Sequence, residues 1–259
     1  MTSSLKNKIS VLIITLNEEA HMKELLSDLT FAEEVIVVDS FSTDKTKEIC
    51  LSFENVKFIE HKFENYTSQR NVALDLATHS WVLFLDADER ITPRLKDEIL
   101  HTISLENTAD AYFFLRKFMF QNKPLHFSGW QTDKNIRLFK KEKARYIEGR
   151  LVHEKLKVDG TVAVLKNKLI HYSYLNYETY KSKMVNYGRL KAKELFAKNV
   201  KPNFFHFYIK PAYKFFNSYF IRLGILDGKK GIIICYLNAL SVYVRYPELD
   251  RLIKKKETN

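Results

Sequence analysis

Trp81-Val-Leu-Phe-Leu-Asp-Ala-Asp-Glu-Arg90 is a short apolar run that ends abruptly in three carboxylates, Asp86, Asp88 and Glu89. Such a run, bounded by polar residues, is the pattern of a strand covered on both faces. In an open α/β sheet, ligands sit at the carboxyl ends of the strands. Acids crowded at that edge repel one another, which a bound cation would offset; a solvated, capped acidic turn is the plainer alternative. The first reading places a nucleotide diphosphate with Mg²⁺ or Mn²⁺ at Asp86-Ala-Asp88.

Working outward, Ile9 to Leu16 is β-branched and nearly continuous in apolar character, as expected of a first central strand. Met22, Leu25, Leu26 and Leu29 then recur at helical spacing, and Val35 to Val38 forms a second buried strand ending at Asp39. Ser42 or Thr43 is expected to cap a helix running towards Phe53. Val56 to Ile59 reads as a third strand, Tyr66 to Ala77 as a third helix and Trp81 to Leu85 as the fourth strand. Thr92-Pro93 reads as an N-cap with proline at the first helical position, and Glu89 as facing away to help set up that helix. Strands alternating with helices imply right-handed crossovers and a mainly parallel, Rossmann-like sheet. After residue 105 the pattern turns β-rich, with strands over Ala111 to Met119, Ile136 to Phe139 and Thr161 to Tyr172, before a long helix from Tyr177 to Asn199. The expected organisation is a nucleotide-binding half over 1–105, an acceptor half over 106–200 and a basic, aromatic tail over 201–259.

With 46% hydrophobic residues in 259, the chain can bury a substantial core. Cys50 and Cys235 form no ligand cluster, and the polar N-terminus is poor material for a signal peptide, so a reducing cytosol is expected. The net charge of +11 is concentrated in the tail, where residues 201–259 hold 11 Lys/Arg against 4 Asp/Glu. Nine Phe or Tyr residues lie between Asn203 and Phe220, interleaved with Lys210 and Lys214. Rings beside cations are expected at a lipid headgroup boundary, or else packed on the core as an appended helix. Gly231 to Val244 is uncharged for 14 residues, short of the roughly 20 that span a bilayer.

Several residues can serve a donor site. Asp39 closes the second strand and can accept the N3–H of a uracil; Thr15 and Asn17 can contact base and ribose; Arg70 can pair with anionic oxygens. Each has a structural alternative as a cap or a surface charge. Glu18 and Glu19 read as the start of the first helix. There is neither a Gly-x-Gly-x-x-Gly after the first strand nor a P-loop, which disfavours dinucleotide oxidoreductases and P-loop NTPases and leaves phosphate to be neutralised by a metal.

Ser10-Val-Leu-Ile-Ile-Thr-Leu-Asn-Glu18, Val37-Val-Asp39 followed by Ser42-Thr-Asp44, Gln69-Arg-Asn71 and Phe84-Leu-Asp-Ala-Asp-Glu-Arg90 together resemble family-2 glycosyltransferases of the GT-A fold. Trp130, Arg137-Leu-Phe139, Val152-His-Glu154 and His171-Tyr-Ser173 are similar to the bacterial branch that includes lipopolysaccharide core β-1,4-glucosyltransferases. The resemblance implies inverting transfer from a nucleotide sugar, with Asp39 at the base, Asp86 near ribose and metal, and Asp88 as a direct metal ligand. UDP and glucose are favoured by the resemblance alone.

Inversion needs a base opposite the leaving group; Glu154 is the candidate and Asp133 the runner-up. His171 can complete the metal shell or be a core or loop histidine, and Trp130 can stack on an acceptor sugar or serve as a packing residue. A glycan or lipid-linked acceptor and a place at the inner face of the cytoplasmic membrane follow, with no nucleic acid partner. Two alternatives compete. A sugar nucleotidyltransferase would normally carry a glycine-rich basic loop where this chain has Thr15-Leu-Asn-Glu-Glu19, and a non-catalytic basic binding protein leaves the Asp-Ala-Asp edge unexplained.

Overall fold

The computed structural model describes residues 8–131, 133–147, 156–174 and 176–257. The first hundred residues alternate as the apolar periodicity requires: β1 (Ile9–Thr15), α1 (Glu19–Asp28), β2 (Glu34–Asp39), α2 (Thr46–Leu51), β3 (Val56–Glu60), α3 (Tyr66–Leu76), β4 (Trp81–Asp86), the two-residue β5 (Glu89–Arg90) and α4 (Pro93–Ser104). Then come β6 (Ala111–Phe120), β7 (Lys123–Leu125), β8 (Lys134–Lys140), β9 (Ala144–Tyr146), β10 (Leu156–Val158), β11 (Val162–Val164) and β12 (Leu169–Tyr174). The last helices are α5 (Tyr177–Ala197), α6 (Lys210–Phe216) and α7 (Gly228–Glu257).

Two compact units share this chain: Met1–Arg116 with Lys134–His171, and Lys117–Asp133 with Tyr172–Asn259. That division does not coincide with the boundaries at 105 and 200 expected for the functional halves. Helix α5 belongs with the tail, because its Tyr180, Met184 and Ala192 are buried in clusters built with α7. Gly188 lets the two helices approach, since a Cβ there would lie 2.6 Å from the Ser241 carbonyl oxygen.

In the first unit, β3, β2, β1 and β4 pair in parallel in that order, and β8 then joins β4 antiparallel. The strand period of two sorts the core into two layers. Val11, Ile13, Val37, Leu83 and Leu85 face Met22 and Leu25 of α1 and Leu95 and Ile99 of α4. Leu12, Ile36, Val38 and Phe84 face Ala73 and Leu74 of α3 together with Tyr146. Burying each such side chain is worth about 1.5–3 kcal/mol, so both faces hold the carboxyl edge of the sheet in place.

Local signals decided the helix starts unevenly. Thr92 caps α4, its hydroxyl accepting from Leu95 N–H at 3.2 Å with Pro93 in the first turn, as expected. The expected cap of α2 at Ser42 or Thr43 is corrected: the helix begins at Thr46 behind Lys45, and Ser42 is used elsewhere. The single strand expected from Thr161 to Tyr172 is two, β11 and β12. The turn between them is pulled onto α4 by Glu98, which accepts from Lys166 and Asn167 N–H at 2.7 and 2.8 Å.

Candidate active site

Asp86 is the last residue of β4, at the edge where ligands bind in sheets of this kind. Its carboxylate accepts from Arg70 Nη2 at 2.8 Å and, through the other oxygen, from Arg137 Nη2 in a very short contact. Arg137 also donates to Glu89 Oε1 at 2.6 Å, while Glu89 Oε2 accepts the Asp86 N–H at 3.0 Å and Arg116 Nη1 lies 3.8 Å away. Glu89 is therefore not an outward-facing helix starter: it is 0% exposed and braces the turn from beneath. Arg90 completes the brace, donating to the carbonyls of Ala87 and Glu89 at 2.8 and 2.9 Å and to that of His21 at 2.9 Å.

The crowding that called for a bound cation is thus met largely by arginine. Burial works to raise the Asp86 pKa, but Arg137 and Arg70 outweigh it and hold the carboxyl well below the usual range. Burial, with the Asp86 charge adding to it, pushes the Glu89 carboxyl above its ordinary value in spite of Arg137.

Each residue of Gln69-Arg70-Asn71 fixes a different part of this edge. Gln69, fully buried, bonds Ser40 Oγ at 3.1 Å and His61 Nδ1 at 2.8 Å, tying the ends of β2 and β3 together. The Arg70 guanidinium lies over the Phe84 ring at 4.5 Å, which aims its fork at Asp86. Asn71 bonds both the N–H and the C=O of Tyr146, at 3.2 and 3.1 Å, as a neighbouring strand would.

At the ends of β1 and β2, Thr15 and Asp39 stand opposite each other in register. The Thr15 hydroxyl is buried and has no hydrogen-bond partner among the described residues. Asp39 is 1% exposed and accepts from Ser42 N–H at 2.7 Å and Ser42 Oγ at 2.5 Å. Asn17 adopts a left-handed φ of 54° and accepts from Thr43 N–H at 2.8 Å, so it joins the two loops. Glu18 is the N-cap residue of α1 and Glu19 its first residue, as expected, and the Glu18 side chain makes no capping bond. Burial, then the nearby Asp88 and Asp44, raise its pKa to about 7, making it an acid poised near neutrality beside the site.

Asp88 projects from the turn and meets His171 of β12, with Oδ2 and Nε2 3.2 Å apart. Among the described residues no group of three acidic, histidine or cysteine side chains is gathered as a metal cage. A hard divalent ion serving a diphosphate needs few protein ligands, because phosphates and water fill the rest, and one carboxylate with one imidazole fits that demand. Both oxygens of Asp86 are already engaged by guanidinium groups, which fix its carboxylate at the sheet edge.

The acceptor side is less complete. Glu154, with His153, lies outside the described residues. Asp133 and Trp130 belong to the second unit, where the Asp133 N–H donates to the Trp130 carbonyl at 3.3 Å. Trp130 packs on Phe118 with ring centroids 4.0 Å apart, a packing role in that unit's core. Reading the sequence missed Arg137 as a site residue. Its signal was there: a lone cation inside the apolar strand Ile136-Arg-Leu-Phe139 must have an acidic partner.

The parallel sheet edge bearing an acidic turn agrees with the GT-A glycosyltransferase fold that the sequence motifs imply. Residues 10–154 match the model of the family described as glycosyl transferase family 2, and the chain belongs to that family. The lipopolysaccharide core biosynthesis glycosyltransferase LpsC of Rhizobium meliloti is 25% identical, covering 93% of this chain and 94% of its own. An uncharacterized glycosyltransferase of Rickettsia conorii is 29% identical over 96% of this chain and 92% of its own. Among solved structures, the mannosyltransferase PcManGT of Pyrobaculum calidifontis, in complex with GDP-Man and Mn²⁺, matches with a TM-score of 0.51 at 16% identity, covering 97% of this chain and 75% of its own. Family membership sets aside both the nucleotidyltransferase and the non-catalytic alternatives.

Proposed function

We propose that this chain is an inverting, metal-dependent glycosyltransferase that moves a hexose, glucose from UDP-glucose, onto a lipopolysaccharide-core or other cell-envelope glycan at the inner face of the cytoplasmic membrane. The observation that carries the reading is the Asp88–His171 pair beside an arginine-locked Asp86 at the carboxyl edge of β4. Thr15 and Asp39 line the base subsite, where the orphaned Thr15 hydroxyl gains a partner from a nucleobase edge. Asp86, kept ionised by Arg70 and Arg137, accepts from the ribose hydroxyls. Asp88 and His171 hold the Mg²⁺ or Mn²⁺, which when bound offsets charge developing on the leaving diphosphate. Glu154 takes the acceptor hydroxyl's proton on the face opposite the leaving group, with Asp133 the second candidate. The acceptor class rests on the likeness to LpsC along nearly the whole of both chains.

The test is a donor screen: thermal stabilisation and metal-dependent hydrolysis across UDP-, GDP- and dTDP-sugars, each with and without chelator. Stabilisation by UDP-glucose that the chelator removes is the expected result. The mannosyltransferase complex with GDP-Man makes GDP-mannose the competing arm. A preference for it overturns the UDP assignment, and undiminished turnover in chelator overturns the metal.

A further inference from the structure

We infer that the stretch from Phe204 to Leu226 is a docking surface for an anionic lipid bilayer, on which it lies without crossing. The stretch forms helical turns around α6, and one side of it is committed to its own unit. Phe207 packs in a cluster with Val242 and Tyr246 of α7, Pro211 and Ser218 are buried, and Lys210 Nζ lies 3.3 Å from the Tyr246 hydroxyl. The other side carries large apolar groups in solvent: Phe204 at 71% exposure, Tyr208 at 63%, Tyr213 at 64%, with Phe216, Phe220 and Ile221 beyond them. From Phe204 to Phe220 these recur at three- to five-residue intervals, and exposed rings contact each other along the helix, Phe204 with Tyr208 at 4.9 Å and Phe216 with Phe220 at 5.0 Å. Leu226, in the turn that follows, extends the surface. Folded chains rarely leave a contiguous apolar patch of this kind bare unless it binds something.

Charge selects the occupant. From Leu195 to Leu226 there is not one acidic residue, while Lys198, Lys201, Lys210, Lys214 and Arg222 are spread along it. The cations also crowd one another: burial, followed by the neighbouring Arg222 and Arg245, pushes the Lys214 ammonium below the ordinary lysine range. A protein partner is a poor match, because lysine is depleted at the centre of protein interfaces. Rings flanked by lysines suit the headgroup boundary, where the ring enters the acyl edge and the ammonium meets phosphate. No helix of the described residues is long and apolar enough to cross a membrane, so the surface lies on the bilayer.

This inference stands apart from the donor reading, because vesicle binding is measured without turnover. The experiment is cosedimentation of the full chain with phosphatidylcholine vesicles, with and without phosphatidylglycerol, alongside sizing in solution and binding to random-sequence RNA. The expected result is pelleting that requires phosphatidylglycerol and weakens with salt. Tyr213→Ser/Phe216→Ser/Phe220→Ser, on exposed positions, is expected to bind at least about tenfold more weakly. Lys201→Gln/Lys214→Gln, on exposed positions, is expected to lose roughly fivefold per cation. Circular dichroism of each variant reports retained folding. Pelleting of the folded triple variant equal to that of the parent overturns the inference. So does a stable oligomer that releases no protein to vesicles, or salt-sensitive RNA binding with no vesicle binding.

Discussion

Replacing Arg137 with methionine tests the electrostatic construction of the site most directly. The side chain is 4% exposed and bonds two carboxylates, one of which, Glu89, is sealed from solvent. After the substitution, Asp86 retains Arg70 at 2.8 Å and 30% side-chain exposure, whereas Glu89 keeps the Asp86 N–H at 3.0 Å and, as its nearest cation among the described residues, Arg116 at 3.8 Å. Removing one member of a buried ion pair costs about 3–5 kcal/mol, and the larger share here falls on Glu89. The Glu89 carboxyl already sits above its ordinary pKa through burial, and loss of Arg137 raises it further. A raised folded-state pKa means stability that is present below the unfolded value and lost as pH rises through the folded value. The deficit of Arg137→Met is therefore expected to be largest near pH 8 and smaller near about pH 5. Adding Glu89→Gln, which removes the stranded charge and keeps an acceptor for the Asp86 N–H, is expected to recover about half of the loss. Urea unfolding followed by circular dichroism reads all three proteins. A deficit under about 1 kcal/mol at pH 8, or one that does not change with pH, would refute the reasoning.

Asp88→Asn is expected to lower metal-dependent turnover by more than about a hundredfold with an unchanged unfolding midpoint, and near-parental turnover would remove Asp88 from the metal site. Glu154→Gln is expected to spare donor-induced thermal stabilisation while slowing transfer about 10²–10⁴-fold; if Asp133→Asn shows that pattern instead, the base role moves there. Glu18, with its pKa raised to about 7, contributes stability that is present below about 4.5 and lost as pH rises past about 7. Glu18→Gln is therefore expected to stabilise the metal-free protein by about 1 kcal/mol near pH 8, after discounting for partial exposure, and to do nothing near pH 4.5. Equal gains at both pH values would show that the charge of Glu18 is not the cause.

The first hundred residues were legible because their determinants are local. Buried strands read as β-branched runs, and helix faces read as three- and four-residue spacings. Thr92-Pro93 announces its own cap. The later part resisted the same treatment. The break between β11 and β12 is set by Glu98, some seventy residues earlier, and Ser42 is drawn away from capping α2 by Asp39, its own near neighbour at the sheet edge.

The Asp86-Ala-Asp88 turn divides most clearly between the two sources. Sequence alone determined that three acids stand at the end of a buried strand, that no glycine cradle serves phosphate, and that the surrounding motifs are those of a glycosyltransferase. It could not determine which acid does what, because that depends on cations brought from residues 70, 116 and 137. Tertiary structure gave Asp86 to two arginines, sank Glu89 beneath them and left Asp88 facing His171. The physical reason is that repulsion among neighbours in the chain is a local fact, whereas its relief by charges distant in sequence exists only once the sheet and α3 have formed.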